Sequence, residues 1–385
     1  MKNYIFGTGN FGKLTALALR ENKIEVSAFI DLNLINIGTL FDGLSVLSVD
    51  QVEDGIVYIA SNRNNHRYLQ NLISDKNPHK KIEIRYPDHF LKSLTLSDGQ
   101  LSWSAERCNS EIENFLFMRE VAQGGSENFL KSIDIVLTEK CSLKCIDCSN
   151  LMQYYEKAVD TDLHTLLESI DKLFSALQFV KEVRIIGGEP LMFKEIVPVI
   201  QKIKTFHNFG SIVIFTNGTI MPRDELMAEC SNSSVRFQIS DYGDLSRNVE
   251  KLEALLIEKE ISNSRDRVLT WQDCASLDRK VRTKEELLSV FSNCCVNDAF
   301  TLLHGKLYGC PFAAHAENLD AIPELKSDSI DIGKENSEGI LKKIANLVNR
   351  SNYGACNYCN GRDYTVGTVE AAVQTKYPLR YLKVH

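Results

Sequence analysis

The stretch Cys141-Ser-Leu-Lys-Cys145-Ile-Asp-Cys148 carries three cysteines in a CxxxCxxC pattern. It follows a short apolar run, Ile133 to Leu137, which predicts a buried strand. Thiolates are soft ligands that suit iron–sulfur clusters or zinc. Three of them can hold a [4Fe–4S] cube and leave its fourth iron open for chemistry. Zinc would want a fourth protein ligand, and none follows Cys148 closely, so the pattern favours a cluster, with a zinc site as the alternative.

Further marked residues follow other predicted strands. From Asp134 onward, apolar runs alternate with helical patterns, which is typical of βα units and a parallel sheet. The fifth strand of this series is predicted at Val268–Trp271, and a later hairpin is predicted to turn at His304-Gly305. Parallel α/β folds bind ligands beyond the carboxyl ends of their strands. We therefore expect the cysteine loop and these later strand-end residues to line one site: Gly187, Gly188, Glu189, Thr216, Asn217, Ser240 and Asp241.

The cysteine triad followed by Gly187-Gly188-Glu189-Pro190 resembles the radical S-adenosylmethionine (SAM) superfamily, over roughly residues 130 to 375. The resemblance implies that the three cysteines ligate a [4Fe–4S] cluster and that SAM chelates its open iron. Cleavage of SAM would then yield a 5′-deoxyadenosyl radical that abstracts a hydrogen atom from a substrate. It also implies that the glycines of this motif and the later strand ends bind SAM.

A second cysteine set lies near the C-terminal end. Counted from Cys295, its pattern is C-x9-G-x4-C, then a gap and a CxxC. It resembles the twitch domain, a shortened SPASM domain of radical SAM enzymes, and so implies one auxiliary [4Fe–4S] cluster. Four cysteine ligands leave no open iron, which favours electron transfer. Structural zinc is the alternative, and one of the first two cysteines is spare, with Cys294 slightly favoured as ligand. The set is Cys294, Cys295, Cys310, Cys356 and Cys359.

The N-terminal residues predict a nucleotide-binding type of fold. A strand, a GxGxxG loop formed by Gly7, Gly9 and Gly12, a helix and a second strand ending in Asp31 make up the dinucleotide-binding fingerprint. The segment also resembles the N-terminal domain of sugar-nucleotide acyltransferases and related sugar-modifying proteins. Three alternatives therefore stand: a nucleotide-sugar or other phosphate ligand, NAD, or a degenerate Rossmann fold that serves as a scaffold or dimer contact.

We therefore expect an α/β protein of several domains, as 385 residues allow. Residues 1–85 form a Rossmann-like domain, and 86–130 a connecting segment with a joint at Gln123-Gly-Gly-Ser126. Residues 131–285 form a partial (β/α)6 radical SAM barrel, and 286–385 a small twitch domain.

Composition narrows the class of protein. A net charge of −7 disfavours a nucleic-acid surface, and no apolar run is long enough for a membrane span. The N-terminus enters a glycine loop directly, unlike a signal peptide. Eleven cysteines without a secretory signal indicate metal binding in a reducing cytoplasm.

The function that these features predict is a radical SAM oxidoreductase acting on a carbohydrate or sugar nucleotide. The twitch spacing resembles the radical SAM dehydrogenase of aminocyclitol biosynthesis, which implies alcohol dehydrogenation with electron transfer to the auxiliary cluster. An external electron donor such as flavodoxin or ferredoxin is expected. The alternatives are an epimerase, a peptide-modifying maturase and, outside enzymes, a redox or nucleotide sensor.

Overall fold

The computed structural model describes every residue except 35, 62–65, 97–100, 102–103, 122–127, 232, 298, 363–366 and 385. These residues form two compact units, Met1–Phe129 and Leu130–His385. The expected joint at Gln123-Gly-Gly-Ser126 lies outside the described residues. Within them, no helix has both the length and the apolar character needed to cross a membrane.

The first unit is built on a parallel sheet. Its elements, in chain order, are β1 (Lys2–Phe6), α1 (Asn10–Glu21), β2 (Ala28–Ile30), β3 (Leu40–Phe41), β4 (Leu44–Leu47), β5 (Gly55–Ile59), α2 (His66–Lys76), β6 (Ile82–Arg85), α3 (Asp88–Lys92) and α4 (Ala105–Val121). The sheet order is β3-β4-β2-β1-β5-β6, in which only the edge strand β3 runs antiparallel to its neighbour. Leaving β3 aside, β1 lies in the middle with the next strands on either side, which is the Rossmann order.

Residues 86–129 belong to this unit and are not only connecting material. Phe115 of α4 is fully buried, and its ring centroid lies 4.9 Å from that of Phe11 in α1. The Arg119 guanidinium stacks 3.5 Å from the Tyr86 ring centroid and pairs with Asp88 at 3.0 Å. The predicted segment therefore holds helices that complete the core of the first unit.

The second unit alternates strands and helices. Its elements are β7 (Phe129–Val136), α5 (Leu163–Ala176), β8 (Phe179–Ile186), α6 (Ile196–Lys204), β9 (Phe209–Thr216), α7 (Asp224–Cys230), β10 (Val235–Asp241), α8 (Val249–Glu258), β11 (Asn263–Arg267), β12 (Thr270–Gln272), α9 (Lys284–Asn293), β13 (Phe300–Leu303), β14 (Lys306–Tyr308), α10 (Pro311–Asn318), β15 (Ser329–Asp331), α11 (Ser337–Val348) and β16 (Thr368–Glu370).

The large sheet of this unit has the order β11-β10-β9-β8-β7-β13-β14-β15. Strands β8 to β11 run parallel, and β13 runs parallel to β7. Val183, Ile185 and Phe237 turn one face toward the buried core with the helices. Glu182 and Arg184 alternate with them and lie on the opposite, polar face. This is the partial barrel that the alternating pattern predicts.

Two boundaries differ from the sequence-based expectation. The fifth barrel strand is Asn263–Arg267 and not Val268–Trp271, because a polar edge strand has no apolar pattern to mark it. The hairpin at His304 and Gly305 is confirmed, with φ angles of 47° and 81°. However, its strands extend the barrel sheet beside β7, so residues 286–385 are continuous with the barrel.

Candidate metal centres

The three triad cysteines lie on the loop after β7, in one small apolar cluster. Leu143, Cys145 and Ala372 form its buried part, and the other two triad cysteines pack against it. Burial, the largest cause, raises the pKa of the Cys141 thiol to about 12 and that of Cys145 to about 11. The neighbouring thiols raise both further, so the three side chains share one region. Tyr242, Leu245 and Trp271 form the rest of its wall.

This donor set fits an iron–sulfur cluster. Among the described residues, no three His, Cys, Asp or Glu side chains converge closely enough to hold a single metal ion. Three soft thiolate donors on one loop suit an iron–sulfur cluster and leave one iron of a [4Fe–4S] cube open. Metal binding also removes the protons that burial otherwise keeps on the thiols.

Gly187 and Gly188 bring the end of β8 against the start of the triad loop. The Gly188 N–H donates to the Thr138 carbonyl at 2.8 Å, and the Glu189 N–H donates to the Lys140 carbonyl at 2.9 Å. A Cβ atom on Gly188 would lie 2.4 Å from the Lys140 oxygen, and one on Gly187 would lie 2.5 Å from the Thr138 oxygen. Only glycine permits this approach, so the motif positions the cysteine loop.

The Glu189 carboxylate joins the ends of β8 and β9. It is fully buried and accepts hydrogen bonds from Thr216 Oγ1 at 2.9 Å, the Asn217 N–H at 2.8 Å and the Leu191 N–H at 3.2 Å. Burial raises its pKa to about 7, against the effect of these donors. Glu189 therefore holds the strand ends together and presents no free carboxylate to a ligand.

Asn217 connects this strand end to the triad loop. Its Nδ2 donates to Ser142 Oγ at 3.1 Å and lies 3.7 Å from the Cys141 sulfur. Its Oδ1 accepts from the Thr219 N–H at 3.0 Å, which fixes the orientation of the amide. The predicted proximity of Thr216 and Asn217 to the cysteines is thus a feature of the structure.

Asp241, at the end of β10, is engaged by cations. Its Oδ2 accepts from Arg265 at 2.8 Å, and its Oδ1 accepts from Arg267 at 2.9 Å and from the Gly243 N–H at 2.7 Å. These contacts hold its pKa below its usual range despite burial. The neighbouring Ser240 is only partly buried, so it is the more accessible of the two residues.

Four of the five C-terminal cysteines line one small cavity: Cys294, Cys310, Cys356 and Cys359. Ser149, adjacent to the triad, lines the same cavity, as do Cys274 and Arg362. Cys295 is not part of the lining, which favours Cys294 over Cys295 as the ligand.

Hydrogen-bond donors contact the sulfurs at this cavity and would stabilise negative charge on them. Backbone N–H groups donate to Cys294 Sγ at 3.4 Å, to Cys310 Sγ at 3.4 Å and to Cys359 Sγ at 3.2 Å. Cys310 also caps the N-terminus of α10, where the helix dipole favours an anion. Burial raises the pKa of all four thiols, to about 11 for Cys356, so charge there needs a bound metal. The set therefore fits a second cluster.

Two arginines support this cavity. Arg282 donates through Nη1 to the Cys359 carbonyl at 2.6 Å and also to the Cys356 carbonyl, which holds the CxxC turn. Arg362 donates through Nη2 to Asn150 Oδ1 at 3.2 Å, two residues beyond Cys148. The cation of Arg362 therefore lies between the two cysteine groups.

No family model matches the chain. GTP 3′,8-cyclase of Heliobacterium modesticaldum is 34% identical over 91 residues, which are 23% of this chain and 27% of that protein. GTP 3′,8-cyclase of Aquifex aeolicus is 31% identical over 129 residues, 33% of this chain and 39% of that protein. The chain thus spans less than half the length of these relatives. Over these segments it is similar to GTP 3′,8-cyclases.

Among solved structures, BtrN in complex with AdoMet and 2-DOIA aligns with 66% of this chain over 98% of its own length. The identity is 14% and the TM-score is 0.37.

Two glycines in the loop of the first unit are required by the local backbone geometry. A Cβ on Gly12 would lie 2.1 Å from the Gly7 oxygen, and Gly7 has a φ of 127°, whereas a Cβ on Gly9 would meet nothing. Asp31 accepts from Thr8, from the Asn33 N–H at 2.8 Å and from Asn36 Nδ2 at 2.9 Å. Its carboxylate is therefore engaged within the protein and not held ready for a ribose.

Several residues of the metal centres carry no signal in the sequence. Tyr242 and Trp271 pack edge to face at 5.6 Å beside the triad, and Gln374 contacts the sulfur of Cys145 at 3.2 Å. Together with Arg362 they lie far along the chain from the triad. Only the CxxC motif hints at Arg362, which follows it by three residues.

Proposed function

We propose that this protein is a radical SAM enzyme with its SAM-binding [4Fe–4S] cluster at Cys141, Cys145 and Cys148. The gathered thiols, and the glycine-dependent approach of β8 to their loop, support this assignment. The strand ends at Gly187 and Ser240 would offer polar groups to SAM. Glu189, Asn217 and Asp241 would act indirectly, by holding those strand ends in place.

We further propose a second [4Fe–4S] cluster at Cys294, Cys310, Cys356 and Cys359. The observation that carries the proposal is that these four thiols line one cavity, which Ser149 brings next to the triad loop. When bound, the first cluster and SAM supply a 5′-deoxyadenosyl radical that takes one substrate hydrogen atom, and the second cluster supplies an acceptor for one electron. With loss of a hydroxyl proton, the overall change is oxidation of an alcohol to a carbonyl.

The polar face of the barrel sheet supports a hydrophilic substrate. Glu182 accepts from Arg184 at 2.6 Å and pairs with Arg236 at 2.5 Å, and Arg184 lies 3.8 Å from the buried Asp134. Side chains alternate along β10, so Ser240 is on the same face as Arg236. These groups pair with one another, but they make this face polar, which suits a hydroxyl-rich or phosphorylated molecule, in line with a carbohydrate or sugar nucleotide. An external one-electron donor such as flavodoxin or ferredoxin, in a reducing cytoplasm, completes the proposal.

The test is anaerobic. The chain is loaded with iron and sulfide, reduced and mixed with SAM, and 5′-deoxyadenosine is measured by mass spectrometry with sugar nucleotides, free aminosugars, peptides and GTP. We expect one carbohydrate to stimulate SAM cleavage and to be converted to a product two hydrogens lighter. A Cys145→Ala variant should be inactive. A Cys230→Ala variant, altered at a buried thiol in the core with α7, should stay active.

The other outcomes discriminate the alternatives. Stimulation by a peptide alone would overturn the carbohydrate substrate in favour of a maturase. Stimulation by GTP alone would favour a reaction like that of the named relatives. A product of unchanged mass would indicate epimerisation. No SAM cleavage with both clusters loaded would favour a redox or nucleotide sensor.

A further inference from the structure

A late segment of the chain lies antiparallel against the triad loop. The Ile146 N–H donates to the Val373 carbonyl at 2.8 Å, and the Thr375 N–H donates to the Lys144 carbonyl at 2.6 Å. Between these bonds, Cys145 and Gln374 face each other as an isolated antiparallel bridge. The pairing sets Gln374 beside the second cysteine of the triad.

The orientation of the Gln374 amide follows from its other contacts. Its Oε1 accepts from the Lys144 N–H at 2.8 Å, and its Nε2 donates to the Ala372 carbonyl at 2.8 Å. A backbone N–H only donates and a carbonyl only accepts, so these two partners decide which end of the amide is nitrogen. The second N–H of Nε2 then points to Cys145 Sγ at 3.2 Å.

The contact is closer than those at the sulfur of Cys141. Cys141 has the N–H of Leu143, on its own loop, at 3.5 Å and Nδ2 of Asn217 at 3.7 Å. Cys145 has a side-chain donor from 229 positions farther along the chain. Cys145 is 7% exposed, whereas Gln374 lies at the surface of the protein.

We propose, on the basis of the cluster assigned above to the triad, that Gln374 is a positioning residue for that cluster. Its amide holds the Cys145 sulfur in its ligating orientation and stabilises the negative charge that increases when the cluster is reduced. Hydrogen bonds to cluster sulfurs are one of the means by which a protein sets a reduction potential. Gln374 therefore raises the potential of the first cluster and leaves that of the second unchanged.

The experiment is a redox titration of the full chain, loaded with both clusters and followed by electron paramagnetic resonance. SAM identifies the signal of the first cluster, since only that cluster has an open iron. Gln374→Glu keeps the acceptor for Lys144 but turns an oxygen toward the sulfur, and Gln374→Met removes the donor at similar size. Thr375→Val is the matched control, because that hydroxyl donates to the Tyr377 carbonyl at 2.7 Å, away from the sulfur.

We expect Gln374→Glu to reduce the equilibrium constant for reduction of the first cluster about tenfold, equal to about 59 mV for one electron. Gln374→Met should shift it in the same direction by less, and Thr375→Val should leave it unchanged. An unchanged potential of the first cluster in both Gln374 variants, or an equal shift at the second cluster, overturns the inference. If the unmodified chain holds no cluster at the triad, the proposed function fails as well, and the iron content separates the two cases.

Discussion

Removal of the Glu189 carboxylate is expected to destabilise the second unit strongly. Alanine leaves two buried donors and one part-buried donor without their acceptor: Thr216 Oγ1 and the Asn217 N–H, and the Leu191 N–H. An unsatisfied buried donor costs about 1–3 kcal/mol. Since such costs are not additive, we expect Glu189→Ala to lower the free energy of unfolding by about 3–6 kcal/mol. That is a large share of the ordinary stability of a domain.

The Glu189→Gln variant is a sharper test, because a glutamine amide cannot fully replace the carboxylate. In either orientation its NH2 group faces the N–H of Asn217 or of Leu191, and one donor must oppose another. We expect a loss of about 1–3 kcal/mol.

The assay for both variants is urea unfolding at pH 8, above the Glu189 pKa of about 7, followed by circular dichroism. Iron content after cluster loading is the second readout. Glu258→Ala, at a side chain 67% exposed, is the control and should change stability by less than about 0.5 kcal/mol. A loss below about 1 kcal/mol in Glu189→Ala would refute the view that this carboxylate joins the strand ends.

Three further predictions concern other parts of the second unit. Cys294→Ala should lose the second cluster, about four irons per chain, whereas Cys295→Ala should keep it, as measured by iron analysis. Arg362→Gln removes a cation between the cysteine groups and should lower the reduction potentials of both clusters by about 59 mV or less, measured by redox titration. His315 is fully buried, and burial lowers its pKa to about 3. Below about pH 6.5 the unfolded chain takes up a proton at this histidine that the folded protein does not. The free energy of unfolding should therefore fall by about 1.4 kcal/mol per pH unit down to about pH 3. Urea unfolding measured across this range should show a shallower dependence on pH for His315→Gln.

Each of these three predictions would be contradicted by a specific result. Equal iron loss in both cysteine variants would count against the choice of Cys294. A shift confined to one cluster in Arg362→Gln would mean that the cation serves only that site. A pH slope that persists unchanged in His315→Gln would assign the acid sensitivity to other groups.

The residues that gather at the first centre could be predicted because the fold itself brings them together. In a parallel sheet all carboxyl ends meet at one edge, so residues after β7, β8 and β9 must be neighbours whatever their separation in sequence. That reasoning placed the triad, Gly188 and Asn217 in one region. This prediction requires only that each strand be recognisable in the sequence as an apolar run.

The predicted strand position was wrong where the strand has no apolar run. The strand β11 has the sequence Asn-Ser-Arg-Asp-Arg, Asn263 to Arg267, and is held by register against β10. Arg265 and Arg267 on this strand pair with Asp241. Because the sequence did not reveal the strand, it offered no partner for the Asp241 carboxylate. The role of a carboxylate depends on partners that spacing does not reveal.

The helices between residues 86 and 129 show the same limit. The α4 sequence mixes polar and apolar residues without a clean stripe, yet Phe115 and Arg119 pack into the first unit. Tertiary contacts decide whether such a segment is a linker or part of a core. The glycine loop is the opposite case, because there a recognisable motif does not decide the function. Gly7 and Gly12 are needed for close packing of the backbone whether or not a nucleotide binds.

The pairing of Cys145 with Gln374 also bears on the order of events as the chain matures. The triad itself spans only eight positions, so a short loop can offer all three thiols early in folding. The donor to Cys145 comes from 229 positions away, and contacts of such long range form late because a large loop must close first. Iron that arrives before this closure meets an open loop, and iron that arrives afterwards meets a Cys145 sulfur that is largely buried. We therefore expect the cluster to load more readily before Gln374 reaches Cys145 than afterwards.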